Sequence, residues 1–441
     1  MKQFNGFFGC TKCYQPGESL KTKNNGTVHV YPYKIYNAEG PLRDHSRYHK
    51  DLLKCLESGN VFRGVMGPCI LNELKYYYPI EGTMIDYMHT ILEGVVRKLT
   101  EYWFDEKFSR ENFSLRPYLT SINNNLKEIR VPKFIPRVPR EINSIKYWKA
   151  SEYLAFILYY ALPLFRNRMK LNQINHLINL IISIEYLLKK FVDKTFLGSI
   201  QILLKDFMIG MSEIYGAHSM LSGIHELVHL TRDIKNIGNL NDFNCFQFEN
   251  FNRELLRLVK SKSSLGIGLI NSFESIKLSS FLNFKENSEG FSAKSQNKYN
   301  IKLNINQNLI DKDEKKNIDA LFLSKSYSVI KYCKINGIFY SSLFYKKTKR
   351  CDFCIEFGSK FGLIKYFVTD NIDTYAVCKT LSKLHNPFYN PRIPDLKSSM
   401  NICLQTQSIF IAPVKDLEKC AFIEANNTIY VSNMNVSHLF N

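Results

Sequence analysis

Residues 225–262 read HELVHLTRDIKNIGNLNDFNCFQFENFNRELLRLVKSK, and this stretch carries the residues around which the rest of the chain is interpreted. His225 and His229 are separated by four positions. If the stretch is helical, they lie one turn apart on one face, an arrangement in which two imidazoles can bind one metal ion. Glu249 follows twenty positions after His229 and opens a second patterned segment. The stretch therefore predicts a metal site followed by an amphipathic helix.

The segment after Glu249 has an apolar side and a charged side. A carboxylate in line with cations suits a site for a phosphodiester, because the carboxylate binds a divalent cation and the cations bind phosphates. An amphipathic helix with a solvated charged face has the same pattern, and the helix alone favours that simpler interpretation. The apolar residues are Phe251, Leu255, Leu258 and Val259, and the cations are Arg253, Arg257 and Lys260.

The motif HELVH has two further interpretations. It matches the zinc-peptidase pattern H-E-x-x-H, in which Glu226 would polarise water and Glu249 would be the third zinc ligand. The apolar neighbours of His225 and His229 also fit two buried core histidines without a metal. Spacing alone does not exclude either interpretation.

A second pair of metal-ligand candidates, Cys10-x-x-Cys13, lies near the start of the sequence. Two thiolates at this spacing are typical of a zinc knuckle, which needs a second pair of ligands. His225/His229 and Cys351/Cys354 are the compact pairs that could supply it. Pairing with the histidines would give a closed Cys2His2 tetrahedron, which is structural because no coordination position is left open. Two thiols without a metal are the alternative.

Composition describes a folded, basic chain of 441 residues with a net charge of +19. This charge favours a polyanionic partner, nucleic acid before membrane. The N-terminal residues lack the apolar region of a secretory signal, and no run of about eighteen apolar residues predicts a membrane helix. Eleven scattered cysteines therefore indicate reduced thiols, with or without zinc, rather than a disulfide framework.

Helical periodicity begins at Thr83 and continues to Phe104, where Asp86 and His89 share a face and could form a carboxylate–imidazole pair. The segment 131–140 contains three prolines and should be extended. Its cations either contact a nucleic-acid backbone or lie on the solvent-exposed edge of a strap that crosses the helices. They are Lys133, Arg137 and Arg140.

Pattern changes along the chain predict a mainly helical protein followed by a small all-β domain. Residues 146–235 read as four or five helices too apolar to be exposed on more than one side. Residues 326–441 alternate with a period of two, which predicts a separate sandwich or barrel. A basic run at 346–350 fits a nuclear-import signal or a solvated turn. The predicted divisions are a loop-rich zinc-knuckle segment (1–82), a helical domain (83–283), a flexible linker (284–325) and the β domain (326–441).

Four blocks of the chain resemble CACTA-type (En/Spm-like) DNA transposases, in the same order and with similar spacing: residues 1–20, 64–104, 132–162 and 224–259. The resemblance implies the C-terminal part of a ribonuclease-H-like catalytic region. In that family two aspartates and a glutamate bind two divalent ions, and an all-helical insertion separates the second aspartate from the glutamate. A CxxC and a histidine pair form a zinc site that ties the insertion to the core.

Carried over by position, the resemblance implies that Cys10, Cys13, His225 and His229 bind structural zinc. It also implies that Glu249 is the last catalytic carboxylate, while Asp86 and His89 match the family's D-x-x-H motif. DNA is the expected partner, and the basic residues expected to contact its phosphates are Lys133, Arg137, Arg140, Arg253 and Arg257. The implied location is the nucleus.

The chain departs from the family at the first two aspartates, which lie upstream of the CxxC. Only Glu18 and Glu39 are acidic between Met1 and Asp44, and neither stands where an aspartate is expected. Two-metal chemistry needs converging carboxylates, so Mg²⁺ is expected to bind only if the missing aspartates are supplied. We therefore expect a transposon-derived, zinc-stabilised remnant that binds DNA or protein and has no strand-transfer activity of its own, with the β domain as a possible protein-binding module. The alternative is a zinc metallopeptidase.

Overall fold

A computed structural model describes residues 5–22, 25–33, 39–258, 264–289, 310–323, 326–345, 349–370 and 372–435. Helices occupy most of the chain up to Glu289, and an antiparallel sheet region follows, as the sequence predicts. The helices are α1 (His45–Ser58), α2 (Arg97–Phe104), α3 (Leu119–Glu128), α4 (Ala150–Ala155), α5 (Ala161–Phe165), α6 (Leu171–Leu187), α7 (Leu197–Tyr215), α8 (Ser222–Glu226), α9 (Leu230–Ile237), α10 (Phe246–Leu258), α11 (Leu265–Glu289) and α12 (Lys312–Phe322).

Two helices contain π-helical segments, which widen the turn locally. Met88–Val96 leads directly into α2, and Phe156–Tyr160 joins α4 to α5. The helices of this region pack into one core because they are apolar on nearly all sides, as α6 shows with buried residues along its whole length. Among the described helices, none has the length and apolar character needed to cross a membrane.

The C-terminal region is built on one eight-stranded antiparallel sheet with β12 and β13 at its edges, instead of the predicted sandwich or barrel. Its order is β12–β6–β7–β8–β11–β14–β13, and β3 also pairs with β7. The strands of the molecule are β1 (Glu18–Lys21), β2 (Thr27–Val30), β3 (Ser328–Ile330), β4 (Tyr332–Ile335), β5 (Ile338–Ser341), β6 (Cys354–Phe357), β7 (Lys360–Thr369), β8 (Thr374–His385), β9 (Tyr389–Asn390), β10 (Ile393–Lys397), β11 (Met400–Pro413), β12 (Glu418–Lys419), β13 (Ala421–Ala425) and β14 (Thr428–Ser432).

Part of the sheet region packs into the same hydrophobic cluster as the helices, while the rest of the sheet region forms clusters of its own. Ile423 and Tyr430, on β13 and β14, are buried in the same cluster as the helical core. Polar contacts reinforce this junction. Glu185 of α6 accepts hydrogen bonds from the Ser398 hydroxyl and from both the amide and hydroxyl of Ser399, at 2.8–3.0 Å.

The proline-rich segment 131–140 is not helical, but it is not extended throughout as expected: it turns at 133–134, where the Ile135 amide donates to the Pro132 carbonyl at 3.1 Å, and bends on to 137. The segment joins the helical region to the sheet region. The Cys351 amide donates to the Val131 carbonyl at 3.0 Å, and the Lys133 amide donates to Asp352 at 3.0 Å. Arg350 donates to carbonyls of the same segment. These bonds attach the segment to residues 350–352 of the sheet region.

Two parts of the chain differ from the loop and linker predicted for them. Residues 45–58 of the supposedly loop-rich segment form α1, whose start Asp44 caps by accepting from the Arg47 amide at 2.8 Å. Within the predicted linker, residues 290–309 and 324–325 lie outside the described residues, but 312–322 form α12. Ile318 and Phe322 of α12 pack on the sheet, which explains why this segment is ordered despite its polar composition.

Burial raises the pKa of Glu185 to about 7. Because the neutral form is favoured in the folded state, the resulting stabilisation is complete below pH 4.5 and is lost as the pH rises through 7. Between pH 4.5 and 7 the free energy of unfolding should fall by about 3 kcal/mol from this group. Glu185→Gln should lose that part of the pH dependence in denaturant titrations at pH 5 and 8. Equal pH dependence in both proteins would contradict this assignment.

Candidate metal centre

Four predicted ligands converge at one point, although two lie near residue 10 and two lie near residue 227. The Cys10 sulfur is 3.5 Å from His229 Nε2, the Cys13 sulfur is 3.3 Å from His225 Nε2, and the two Nε2 atoms are 3.4 Å apart. All four side chains are buried. This cluster could hold a metal ion.

The donor set and its spacing are compatible with zinc. Bond lengths of about 2.3 Å for Zn–S and about 2.0 Å for Zn–N place tetrahedral S and N ligands about 3.5 Å apart and two N ligands about 3.3 Å apart. The observed separations of 3.3–3.5 Å match these values. Hydrogen bonds alone explain the cluster less well, because each Nε2 carries at most one proton and faces both a sulfur and another Nε2. Four protein donors would fill a tetrahedron.

The backbone around the cysteines is arranged to support thiolates. The amides of Lys12 and Gln15 point at the Cys10 and Cys13 sulfurs, at 3.4 and 3.5 Å. The buried guanidinium of Arg43 lies behind this loop and donates from Nε to the carbonyls of Cys10 and Cys13, at 3.1 and 3.0 Å. A fixed positive charge beside two thiols favours their deprotonation, which metal binding requires.

The two thiols affect each other strongly. A hydrogen bond from Cys13 holds the pKa of Cys10 well below its usual value, and the two imidazoles act in the same direction. The same hydrogen bond, together with burial, raises the pKa of Cys13. The pair therefore retains one proton readily, and a bound cation would displace it.

A buried ion pair attaches the cysteine loop to the histidine helices. Lys12 Nζ lies 2.6 Å from Asp233, and both side chains are 2% exposed. Lys12 also donates to the carbonyls of Ile80 and Thr83, while Asp233 accepts from the Ile85 amide at 3.1 Å. One lysine thus connects the cysteine loop, α9 and the segment that precedes the π-helical turn.

Glu226, the base of a hypothetical peptidase, is half-buried and accepts a hydrogen bond from the Thr90 hydroxyl at 2.9 Å. Burial raises the pKa of this carboxyl to about 7. Glu249, the hypothetical third ligand, is exposed on α10, and the two cysteines stand where that ligand would be needed. The arrangement favours a closed structural centre over a peptidase centre.

A second group of predicted residues meets where the π-helical segment faces the start of α10. Asp86 Oδ2 lies 2.6 Å from His89 Nδ1, and Asp86 Oδ1 accepts from the Cys245 amide at 2.9 Å. Burial, then Asp86 and Glu249, raise the pKa of the Cys245 thiol. Asp86 and His89 thus form the predicted pair, Glu249 lies one turn from Cys245, and Cys245 is a contributor that sequence analysis missed.

The predicted DNA-contacting cations divide into engaged and exposed groups. Arg140 forms an ion pair with Glu152 at 2.5 Å and donates to it through two nitrogens. Lys133 and Arg137 are exposed, with the Lys133 ammonium 3.6 Å from the centre of the Phe339 ring.

The remaining predicted cations lie on α10. Arg253 and Arg257 are exposed and form ion pairs with Glu254 at 3.5 and 2.9 Å. Val259 and Lys260 lie outside the described residues. Residues 346–348 of the basic run also lie outside the described residues. Lys349 of that run donates to the Lys127 carbonyl at 2.9 Å.

A basic groove beside the cysteine loop was missed by the sequence analysis. It has a volume of about 730 Å³, and α1 forms one wall of it. The sequence pattern that indicates this groove is a set of cations spaced three and four residues apart, which places them on one face of a helix. The four cations that line the groove are Arg47, Lys50, Lys54 and Arg63.

No family model, curated protein or solved structure matches this chain. The resemblance to CACTA-type transposases therefore depends on the four sequence blocks alone.

Proposed function

We propose that this protein is a transposase-like, transposon-derived DNA-binding protein whose helical region is held to its N-terminal segment by a structural zinc ion. The convergence of Cys10 and Cys13 on His225 and His229 is the observation that carries the proposal. The resemblance implies this pairing, and it joins sequence blocks that are more than two hundred residues apart. A nuclear location follows from the proposed partner.

Zinc is the ion that this donor set favours, because two thiolates and two imidazoles form the tetrahedral N/S environment that Zn²⁺ occupies in structural sites. No water-filled coordination position is part of this arrangement, so the ion is proposed to stabilise the fold. Binding of DNA, rather than cutting it, is the proposed activity. Glu249 is the carboxylate of the family's catalytic triad that the resemblance assigns to these residues.

The basic groove is the surface that we propose for DNA. Lys50 and Lys54 are exposed on α1, and Arg63 lies across the groove beside the ring of Tyr14. Asp51, an acid in the same wall, already accepts a hydrogen bond from the Tyr14 hydroxyl at 2.6 Å and lies 3.9 Å from Arg43. Glu57 is the second acid that lines the groove, so four cations exceed two acids, which favours an anionic backbone as the ligand.

DNA affinity should be independent of sequence and should fall steeply as salt increases. The double variant Lys50→Glu/Lys54→Glu should bind a mixed-sequence duplex at least about tenfold more weakly, with a shallower dependence on salt, because each lost phosphate contact lowers the slope by about 0.9. Fluorescence anisotropy at several salt concentrations measures both quantities.

A matched control is Lys360→Glu/Lys415→Glu, which changes the net charge equally on exposed residues of the sheet region. This control should retain most of the affinity. Equal losses in the two double variants would contradict the groove as the binding surface. Salt-independent binding, or no binding, would contradict DNA as the partner.

A further inference from the structure

Three metal-ligating side chains outside the buried centre meet at the start of α10. One ligand atom from each of Asp86, His89 and Cys245 lies within 4.8 Å of the other two. Asp86 and Cys245 are 159 positions apart in the sequence, so the fold, and not local spacing, brings them together.

Hydrogen bonds to the backbone hold this group in place. Asp86 accepts from the Cys245 amide through Oδ1, and from the His89 amide at 3.0 Å through Oδ2. Asp86 thereby fixes the first turn of the π-helical segment against the residue that precedes α10. Preorganised ligands need little rearrangement when an ion binds, which favours binding.

We propose that the Asp86 carboxylate, the His89 imidazole and the Cys245 thiolate bind a second divalent metal ion of the zinc class. A set of one oxygen, one nitrogen and one sulfur donor fits Zn²⁺, whereas Mg²⁺ and Ca²⁺ prefer oxygen donors throughout. On binding, the Cys245 thiol releases its proton, and the His89 Nδ1 proton that faces Asp86 moves to Nε2. The ion then lies between the imidazole and the carboxylate.

Charge and exposure define what kind of site this is. Asp86 and Glu249 both place negative charge near Cys245, and a divalent cation would neutralise it. The His89 side chain is 53% exposed and that of Asp86 is 18% exposed, so solvent reaches the group. Three protein ligands leave a fourth position for water, as in exchangeable or catalytic zinc sites and unlike the buried centre.

The full chain loaded with Zn²⁺ provides the test. Wild type should hold two ions per chain, and EDTA should remove one of them rapidly from the exposed site while the buried one leaves slowly. Cys245→Ser and His89→Ala should each lose the rapidly removed ion and keep the slow one. Asp86→Asn should weaken that site at least about tenfold while keeping the acceptor for the Cys245 amide.

Matched controls are Cys69→Ser and His49→Ala, which change an exposed cysteine and an exposed histidine elsewhere and should keep both ions. Far-ultraviolet circular dichroism of each variant checks that the fold is retained, and His89 is exposed enough for its removal to be tolerated. The proposal is overturned if wild type holds one ion, or if Cys245→Ser and His89→Ala release the rapid ion as wild type does. The result is independent of DNA binding, since none of the three ligands lines the basic groove.

Discussion

Cys13→Ser should lose the zinc ion that we propose for the buried centre and most of the stability of the N-terminal segment. In zinc-finger peptides the apparent binding energy of structural zinc is about 10–16 kcal/mol, and the folded state keeps it only if the ligands remain. Serine is a poor zinc ligand, so a buried imidazole pair and one thiol would be left without their ion. Metal analysis, thermal unfolding and limited proteolysis of residues 5–22 measure the effect.

The control for this prediction is Cys378→Ser, because Cys378 is fully buried in the sheet and is not part of either metal cluster. It should cost about 1–3 kcal/mol, the ordinary cost of burying a polar group with imperfect partners, and should leave the zinc content unchanged. Retention of the slowly exchanging ion by Cys13→Ser would remove the physical basis for the Cys2His2 centre.

Lys12→Met should destabilise the protein by about 3–5 kcal/mol, because it leaves the Asp233 carboxylate buried without its cation. Lys12 and Asp233 are 2.6 Å apart and almost wholly inaccessible, so water cannot replace the lost charge. Denaturant titration of the zinc-loaded protein gives the free energy of unfolding. The effect should be seen with zinc bound, since Lys12 is not a ligand.

Two further variants test whether the loss of stability comes from leaving a buried charge without its partner. Lys12→Met/Asp233→Asn should recover part of the loss, because asparagine is neutral and still accepts the Ile85 amide bond. Arg257→Met, which breaks the exposed pair with Glu254, should change stability by less than about 1 kcal/mol. A Lys12→Met variant as stable as Arg257→Met would show that the buried pair contributes little.

The sequence predicts the metal-ligand candidates because their chemistry is local. Cys10 and Cys13, like His225 and His229, are recognisable from spacing alone, and the resemblance supplied the pairing between them. Cys245 was missed because the fold brings it to Asp86 and His89, which are distant in the sequence. Residue spacing cannot show such a contact. Lys12 and Arg43 were missed because charged residues are ordinarily read as surface, and only three-dimensional contacts show that these two are buried.

The same limit applies to the fold. The apolar content of 146–235 predicts helices that are exposed on no more than one side, and α6, which is buried along most of its length, agrees with this. Alternation in residues 421–425 predicts one covered face of β13, but not that helices cover it. Residues 312–322 have the composition of a linker, yet Ile318 and Phe322 of α12 pack on the sheet and Glu314 accepts a hydrogen bond from the Tyr366 hydroxyl at 2.7 Å. Long-range packing determines how these segments are covered. A hydrophobic period in the sequence shows that a face is apolar, but not which element packs against it.

Cys10 and His229 are 219 positions apart in the sequence. This separation determines when the four residues of the candidate metal centre can meet during synthesis. At a translation rate of about 5–20 residues per second, the cysteine loop leaves the ribosome roughly 10–45 s before the histidines do. During that interval its thiols are accessible to oxidants and to competing metals. Closing so long a loop is also slow relative to local helix formation. If the proposed centre is to bind its ion, the cysteine loop must stay reduced until the helical region has been synthesised.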